Sequence, residues 1–217
     1  MEPVFRPHDL LFPRTPGAFV PVGDRPDWLD DAAWTARAPL VVRRDGASGG
    51  RIPAGARGPQ RNQRCAGHLA PSDVARRVAP EQLAAAVARG PALDLRAAAD
   101  ALPCIAALLA LAPGLRELGL DWGPAGGAGF WLASGLPVLR AGSDLDLLVR
   151  APHPPAPEVL DALWALQAGA ACRVDVQVDT GLGGFALGEY LRGGRVMLKT
   201  ATSPLLVDDP WRQRAAA

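Results

Sequence analysis

The residues best placed to do chemistry are two short runs of acids spaced along strand-like sequence. In Ser143-Asp144-Leu145-Asp146-Leu147-Leu148-Val149, Asp144 and Asp146 alternate with leucines. On a strand, residues i and i+2 share a face and lie roughly 6 to 7 Å apart, so both carboxylates reach one side while the leucines enter a core. Such a pair suits a hard divalent cation such as Mg²⁺, which takes carboxylate oxygens and substrate phosphates. Taken alone, the motif also fits turn and edge chemistry. A second acidic run, Cys172 to Thr180, alternates Val174, Val176 and Val178 with Asp175, Gln177 and Asp179. Asp175 is thereby the candidate third metal ligand or general base of a two-metal phosphoryl transfer. Asp179, nearer the loop, reads as a capping or solvated residue.

The charge of the chain is divided. Residues 37 to 77 carry nine arginines against Asp45 and Asp73, whereas residues 141 to 190 carry seven carboxylates against Arg150 and Arg173. A basic segment joined to an acidic one suits a polyphosphate handled with divalent metal better than it suits duplex nucleic acid. Arg57, Arg61 and Arg64 follow one another at steps of four and three, so a helical turn would gather them on one face for phosphate. Lys199 is the only lysine among 23 Lys and Arg residues and reads as a diphosphate contact. Trp122 is the tryptophan best placed to stack on a base, and Glu189 is a possible ligand of metal or a ribose hydroxyl. His8-Asp9 reads as a capping or packing pair.

The elements that must position these groups are legible in outline. Residues 1 to 36 read as irregular chain with helical turns, 39–44 as a strand, and 71–78 and 80–87 as short helices. A helix over 92–112, bent at Pro103, stops at Pro113-Gly114. Strands over 128–133, 137–141, 144–150 and 171–178, a helix over 156–168, a helix over 184–192 and a strand over 195–199 follow. The fold class is α/β (α+β): a small N-terminal mixed domain over residues 1–90, then a mixed sheet with flanking helices over 91–217. Three unpaired-looking cysteines, no long apolar run and no signal-like start point to a cytoplasmic protein that neither spans a membrane nor binds nucleic acid.

The acidic strands resemble those of the polymerase-beta-like nucleotidyltransferases, which place an Asp-x-Asp strand after a Gly-Ser turn and a single Asp on a later strand. Gly126 and Gly127 in WGPAGGAGF stand where that superfamily has Gly-Ser. Gly127 lacks a hydroxyl, and the 17-residue step from it to Asp144 suggests a hairpin in place of the expected helix. Backbone N–H groups of the turn can still cradle phosphate. A closer resemblance covers nearly the whole chain. HDLL, PLVVRR, IPAGARGPQRNQR, the WGPAGGAGF turn, SDLDLL, RVDVQ, GGFALGEY, MLKT and DDPW occur in the order found in the malonate decarboxylase holo-acyl-carrier-protein synthases.

That resemblance implies a phosphoribosyl-dephospho-CoA transferase with an N-terminal substrate-recognition domain and a nucleotidyltransferase-like catalytic domain. It implies Mg²⁺ as cofactor, triphosphoribosyl-dephospho-CoA as donor and a serine of the malonate decarboxylase acyl-carrier subunit as acceptor, with release of diphosphate. Asp144, Asp146 and Asp175 would be catalytic and metal-binding; Gly126, Gly127, Arg57, Arg61, Arg64 and Lys199 would hold the donor. Two rivals remain open: a nucleotidyltransferase that uses an ordinary nucleoside triphosphate on another acceptor, and an inactive domain that only binds a carrier protein.

Overall fold

The computed structural model describes residues 4–46, 49–89 and 93–212. Two six-stranded sheets form, one from each half of the chain. The first contains β1 (Leu10–Pro13), β2 (Val20–Pro21), β3 (Leu40–Val42), β4 (Ile52–Arg57), β5 (Arg64–Leu69) and β6 (Val74–Val78), in the order β2-β5-β4-β3-β1-β6. All its neighbours run antiparallel. The short helix α1 (Ala32–Thr35) precedes β3, with the Asp31 side chain accepting from the Trp34 N–H as its N-cap.

The second half opens with three helices, α2 (Pro80–Ala88), α3 (Leu93–Ala101) and α4 (Pro103–Glu117). β7 (Asp121–Pro124), α5 (Gly126–Ser134), β8 (Leu145–Arg150), α6 (Pro157–Ala165) and β9 (Val174–Asp179) follow. The chain closes with β10 (Gly184–Ala186), α7 (Leu187–Leu191), β11 (Val196–Lys199) and β12 (Pro204–Val207). The second sheet runs β12-β11-β10-β9-β8-β7, and only β8 and β9 are parallel, joined through α6. Its main core packs Ile105, Leu108 and Leu115 of α4 against Leu145, Leu147 and Val149 of β8 and Phe185 of β10. No helix among the described residues is long and apolar enough to cross a membrane.

Several elements differ from what local sequence suggests. Residues 74–78 form a strand rather than a helix, because β1 pairs with them and the Arg76 guanidinium stacks 3.7 Å over the Phe12 ring. Residues 128–133 belong to helix α5, not a strand, so the helix the resemblance calls for is present and no hairpin replaces it. A short apolar run carries no decisive period; the left-handed Gly135, whose N–H bonds the Trp131 carbonyl, closes the helix instead. Residues 137–141 are irregular. The long helix divides at Leu102, and α4 runs through Pro113 to Glu117 because Leu111, Ala112 and Leu115 are anchored in the core. Residues 184–192 split into β10 and α7. The division drawn between residues 90 and 91 lies outside the described residues.

Candidate active site

A cleft of about 970 Å³ separates the two halves and is lined by both. One wall is acidic. β8 and β9 run in parallel register with Asp146 opposite Asp175, while Leu145 and Leu147 point the other way into the core, 0% and 2% exposed. Asp144 lies one residue before β8, and all three aspartates line the cleft. Gly126, at the start of α5, sits in the left-handed region at φ +52°. A Cβ there would fall 1.8 Å from Asp146 Oδ2, so only glycine lets this turn close on the carboxylate. The Gly127 backbone N–H favours the charged form of Asp146. The turn therefore closes on the carboxylate, and both glycines face the cleft.

The opposite wall is basic. IPAGARGPQRNQR is a hairpin, not a helical turn: Arg57 ends β4, Arg64 begins β5 directly across from it, and Arg61 lies in the loop between them. Three arginines separated by a tight loop meet at one strand end as well as they would on a helix face. All three line the cleft, together with Arg43 and Arg140. Arg57 lies 5.4 Å over the Phe130 ring, its NH1 is 3.7 Å from where a Gly127 Cβ would sit, and its Nε is buried without a hydrogen-bond partner. Trp34 Nε1 donates to the Arg57 carbonyl at 2.6 Å and its ring stacks with Phe130. An aromatic joint thus carries the key arginine across to α5.

Like charges crowd on each wall. Burial first, then Asp175 and Asp144, push the Asp146 carboxyl above the usual carboxylate range. Burial first, then Arg64, press the Arg57 guanidinium down to about 10, with Asp146 working against them. Arg64 is lowered by burial and Arg61. Burial first and like-charged neighbours second disfavour the charged forms of Asp146, Arg57 and Arg64, as befits groups arranged for a ligand of opposite charge. Asp175 meanwhile leans on Arg173, with Oδ1 2.8 Å from the guanidinium. No three His, Cys, Asp or Glu side chains among the described residues form a ready-made metal cluster.

Other candidate residues are placed elsewhere. Lys199, at the exposed end of β11, is not among the cleft residues. Trp122 is 6% exposed and packs in the main core, so it is no stacking platform. Glu189 is committed to the Met197 N–H at 3.0 Å. Asp179 does cap the following loop, accepting from the Gly181 N–H at 3.2 Å, but it is not solvated: it is 6% exposed and ion-paired with Arg44 and Arg150. Sequence reasoning missed Arg43, Arg140 and Phe130; a charge count over 37–77 contains Arg43 but cannot say which arginines share a face.

Comparison with known families decides what this cleft belongs to. Residues 6–80 match the model of the phosphoribosyl-dephospho-CoA transferase MdcG N-terminal domain, and residues 82–210 match that of its C-terminal domain. The chain belongs to this family. As a member of the phosphoribosyl-dephospho-CoA transferase family it is a transferase enzyme; the three aspartates come from its C-terminal family domain, and Arg43, Arg57, Arg61 and Arg64 from its N-terminal one. Among its relatives is the phosphoribosyl-dephospho-CoA transferase of Pseudomonas aeruginosa, 45% identical over 95% of this chain and 93% of the relative. Those of Pseudomonas putida strain GB-1 and Klebsiella pneumoniae strain 342 are 42% and 40% identical, over 97% and 96% of this chain and 98% and 97% of the relatives. No solved structure matches the chain.

Proposed function

We propose that this cleft transfers the phosphoribosyl-dephospho-CoA group from triphosphoribosyl-dephospho-CoA to a serine of the malonate decarboxylase acyl-carrier subunit, releasing diphosphate. The observation that carries the reading is the pairing of two self-repelling walls across one cleft. A polyphosphate neutralises the arginines, and a divalent cation neutralises the carboxylates, so one metal-bound polyphosphate relieves both. The relatives named for this transfer support the choice of donor group.

In this reading Arg57, Arg61 and Arg64 bind the triphosphate by forked hydrogen bonds. Asp144 and Asp146 would hold Mg²⁺, with Asp175, now paired with Arg173, on the nucleophile side. The donor chemistry fits: these are hard oxygen ligands whose mutual repulsion a cation removes. Bound Mg²⁺ would supply charge stabilisation at the transferring phosphate and the leaving diphosphate. The serine oxygen forms its bond to the first phosphorus of the triphosphate as the bond from that phosphorus to the diphosphate oxygen breaks. Asp175 accepts the serine proton and returns it to solvent. The close approach of Gly126 confines the Asp146 carboxylate, and the Gly127 N–H favours its charged form.

The test is a mass measurement on purified apo-carrier subunit after incubation with enzyme, Mg²⁺ and donor. A phosphoribosyl-dephospho-CoA increment on the carrier, absent from a carrier lacking the acceptor serine, is expected. Modification from ATP instead of this donor, or equal labelling of the serine-free carrier, would refute the proposal.

A further inference from the structure

The HDLL segment and Asp179 have no part in the cleft, yet they meet in a buried ionic network between the two halves. Arg150, at the end of β8, donates from Nε to Glu81 at 3.1 Å and from NH2 to the Pro7 carbonyl at 2.7 Å, and pairs through NH1 with Asp179. Its NH2 also lies 3.6 Å from Asp9, which is fully buried and held by Arg77 Nε at 2.6 Å. From the first sheet, Arg44 reaches past β3 to Asp179 at 3.1 Å. A Cβ on Gly184 would sit 2.9 Å from Arg44 NH2, so β10 leaves room for this reach.

The network is registered to the cleft. Arg150 and Asp179 face each other on β8 and β9 as Asp146 and Asp175 do, four residues earlier on the same two strands. At strand rise this is about 13 Å. Asp175, Gln177 and Asp179 share one strand face. The halves are also joined by the covalent crossover at Ala79–Pro80, by the Arg6–Glu81 ion pair at 3.0 Å, by Arg37 and Arg57 donating to the Ser134 and Val138 carbonyls at 3.5 Å, and by the apolar patch of Trp34, Ala38, Phe130, Leu136 and Val138. To these the charged contact from Arg44, just past β3, to Asp179 of β9 adds a fixed point beside the strands that carry the aspartates. Charge pairs buried in this way contribute little net stability, yet they penalise every arrangement that leaves one partner unpaired.

We propose that Arg150, Asp179 and Arg44 are positioning residues for the transfer: they latch the first sheet onto β8 and β9 and so hold the arginine hairpin in register across the cleft from the aspartates. The latch rests on the reading of the cleft as the transfer site. It touches neither donor nor metal, and its loss changes the relation of the walls rather than either wall.

Four variants test it: Arg44→Gln and Gly184→Ala, which loosen the contact from the first sheet, Arg150→Lys, which keeps the charge but loses the fork, and Arg150→Met, which loses both. In each folded variant, inorganic tripolyphosphate and Mn²⁺, which engage one wall apiece, should bind within about twofold of wild type. Transfer should fall in kcat/KM by roughly ten- to a hundredfold, as expected for ångström-scale misplacement. Spin labels at Asn62 and Asp161, in a chain with its cysteines replaced by alanine, should show a broadened interdomain distance. Arg150→Lys should lose less than Arg150→Met. Wild-type transfer rates, or an unbroadened distance, in a folded Arg44→Gln protein would overturn the latch, and so would equal loss of single-wall binding. If the unaltered enzyme transfers nothing from this donor, the proposed function fails while the distance measurement still decides the latch.

Discussion

Replacing Gly126 by alanine separates backbone strain from damage to the site. The glycine lies at φ +52°, where a non-glycine residue costs about 1–2 kcal/mol, partly offset by about 0.4–1 kcal/mol of lost unfolded-state freedom. Gly119, at φ +66° with nothing within 4 Å of where an added methyl would sit, carries the same strain and no collision, and so serves as the control. At Gly126 the methyl would meet Asp146 Oδ2 at 1.8 Å, whereas ordinary contact begins at 3.4 Å, so the carboxylate must retreat by about 1.6 Å. Displacements of an ångström at a reacting centre cost about a hundredfold, or about 2.7 kcal/mol in the barrier. Both variants should therefore lose about 1 kcal/mol of stability in urea melts. Gly126→Ala alone should lose about a hundredfold in kcat/KM and weaken Mn²⁺ binding, read by calorimetry. Equal kinetics for the two variants would refute the claim that this turn positions Asp146.

The remaining predictions concern charge and burial. Asp146→Asn should abolish transfer yet leave the thermal midpoint unchanged or raised, because the charge removed is one that burial, Asp175 and Asp144 disfavour; a clear drop in midpoint would contradict this. Arg57→Ala should weaken donor affinity by more than tenfold, with carrier-protein affinity near wild type by calorimetry; intact donor binding would make the basic wall a solvated surface. His8 is pressed down to about 4, by burial first and then by Arg44 and Arg150. Between pH 4 and 6.5 the unfolded chain takes up a proton the folded chain does not, so stability falls as pH drops through that window, by up to roughly 3 kcal/mol. His8→Asn should flatten this limb in urea melts; an unchanged slope would show that other groups carry it. Trp122→Ala should cost about 3–5 kcal/mol of stability and leave donor affinity per folded molecule unchanged, whereas a selective loss of donor binding would return Trp122 to the site.

The acidic wall was legible in the sequence because strand geometry is local. Alternation at 144–149 and 174–179 places Asp144, Asp146 and Asp175 opposite the leucines and valines, and parallel pairing of β8 with β9 completes what the period of two begins. The family itself was legible in ordered motifs, and the matches to both family domains bear it out. Spacing in the chain misread the arginines, since steps of four and three describe a helix face and a strand-loop-strand equally well. Only pairing of Arg57 with Arg64 across β4 and β5, set by non-local hydrogen bonds, decided for the hairpin. Asp179 shows the limit most sharply. On its strand it has the same period as Asp175, yet the Asp175 side chain remains 44% exposed while Asp179 is buried between Arg44 and Arg150. Local sequence determines which way a side chain points from its strand; which partner covers it depends on how two sheets, folded from distant segments, dock.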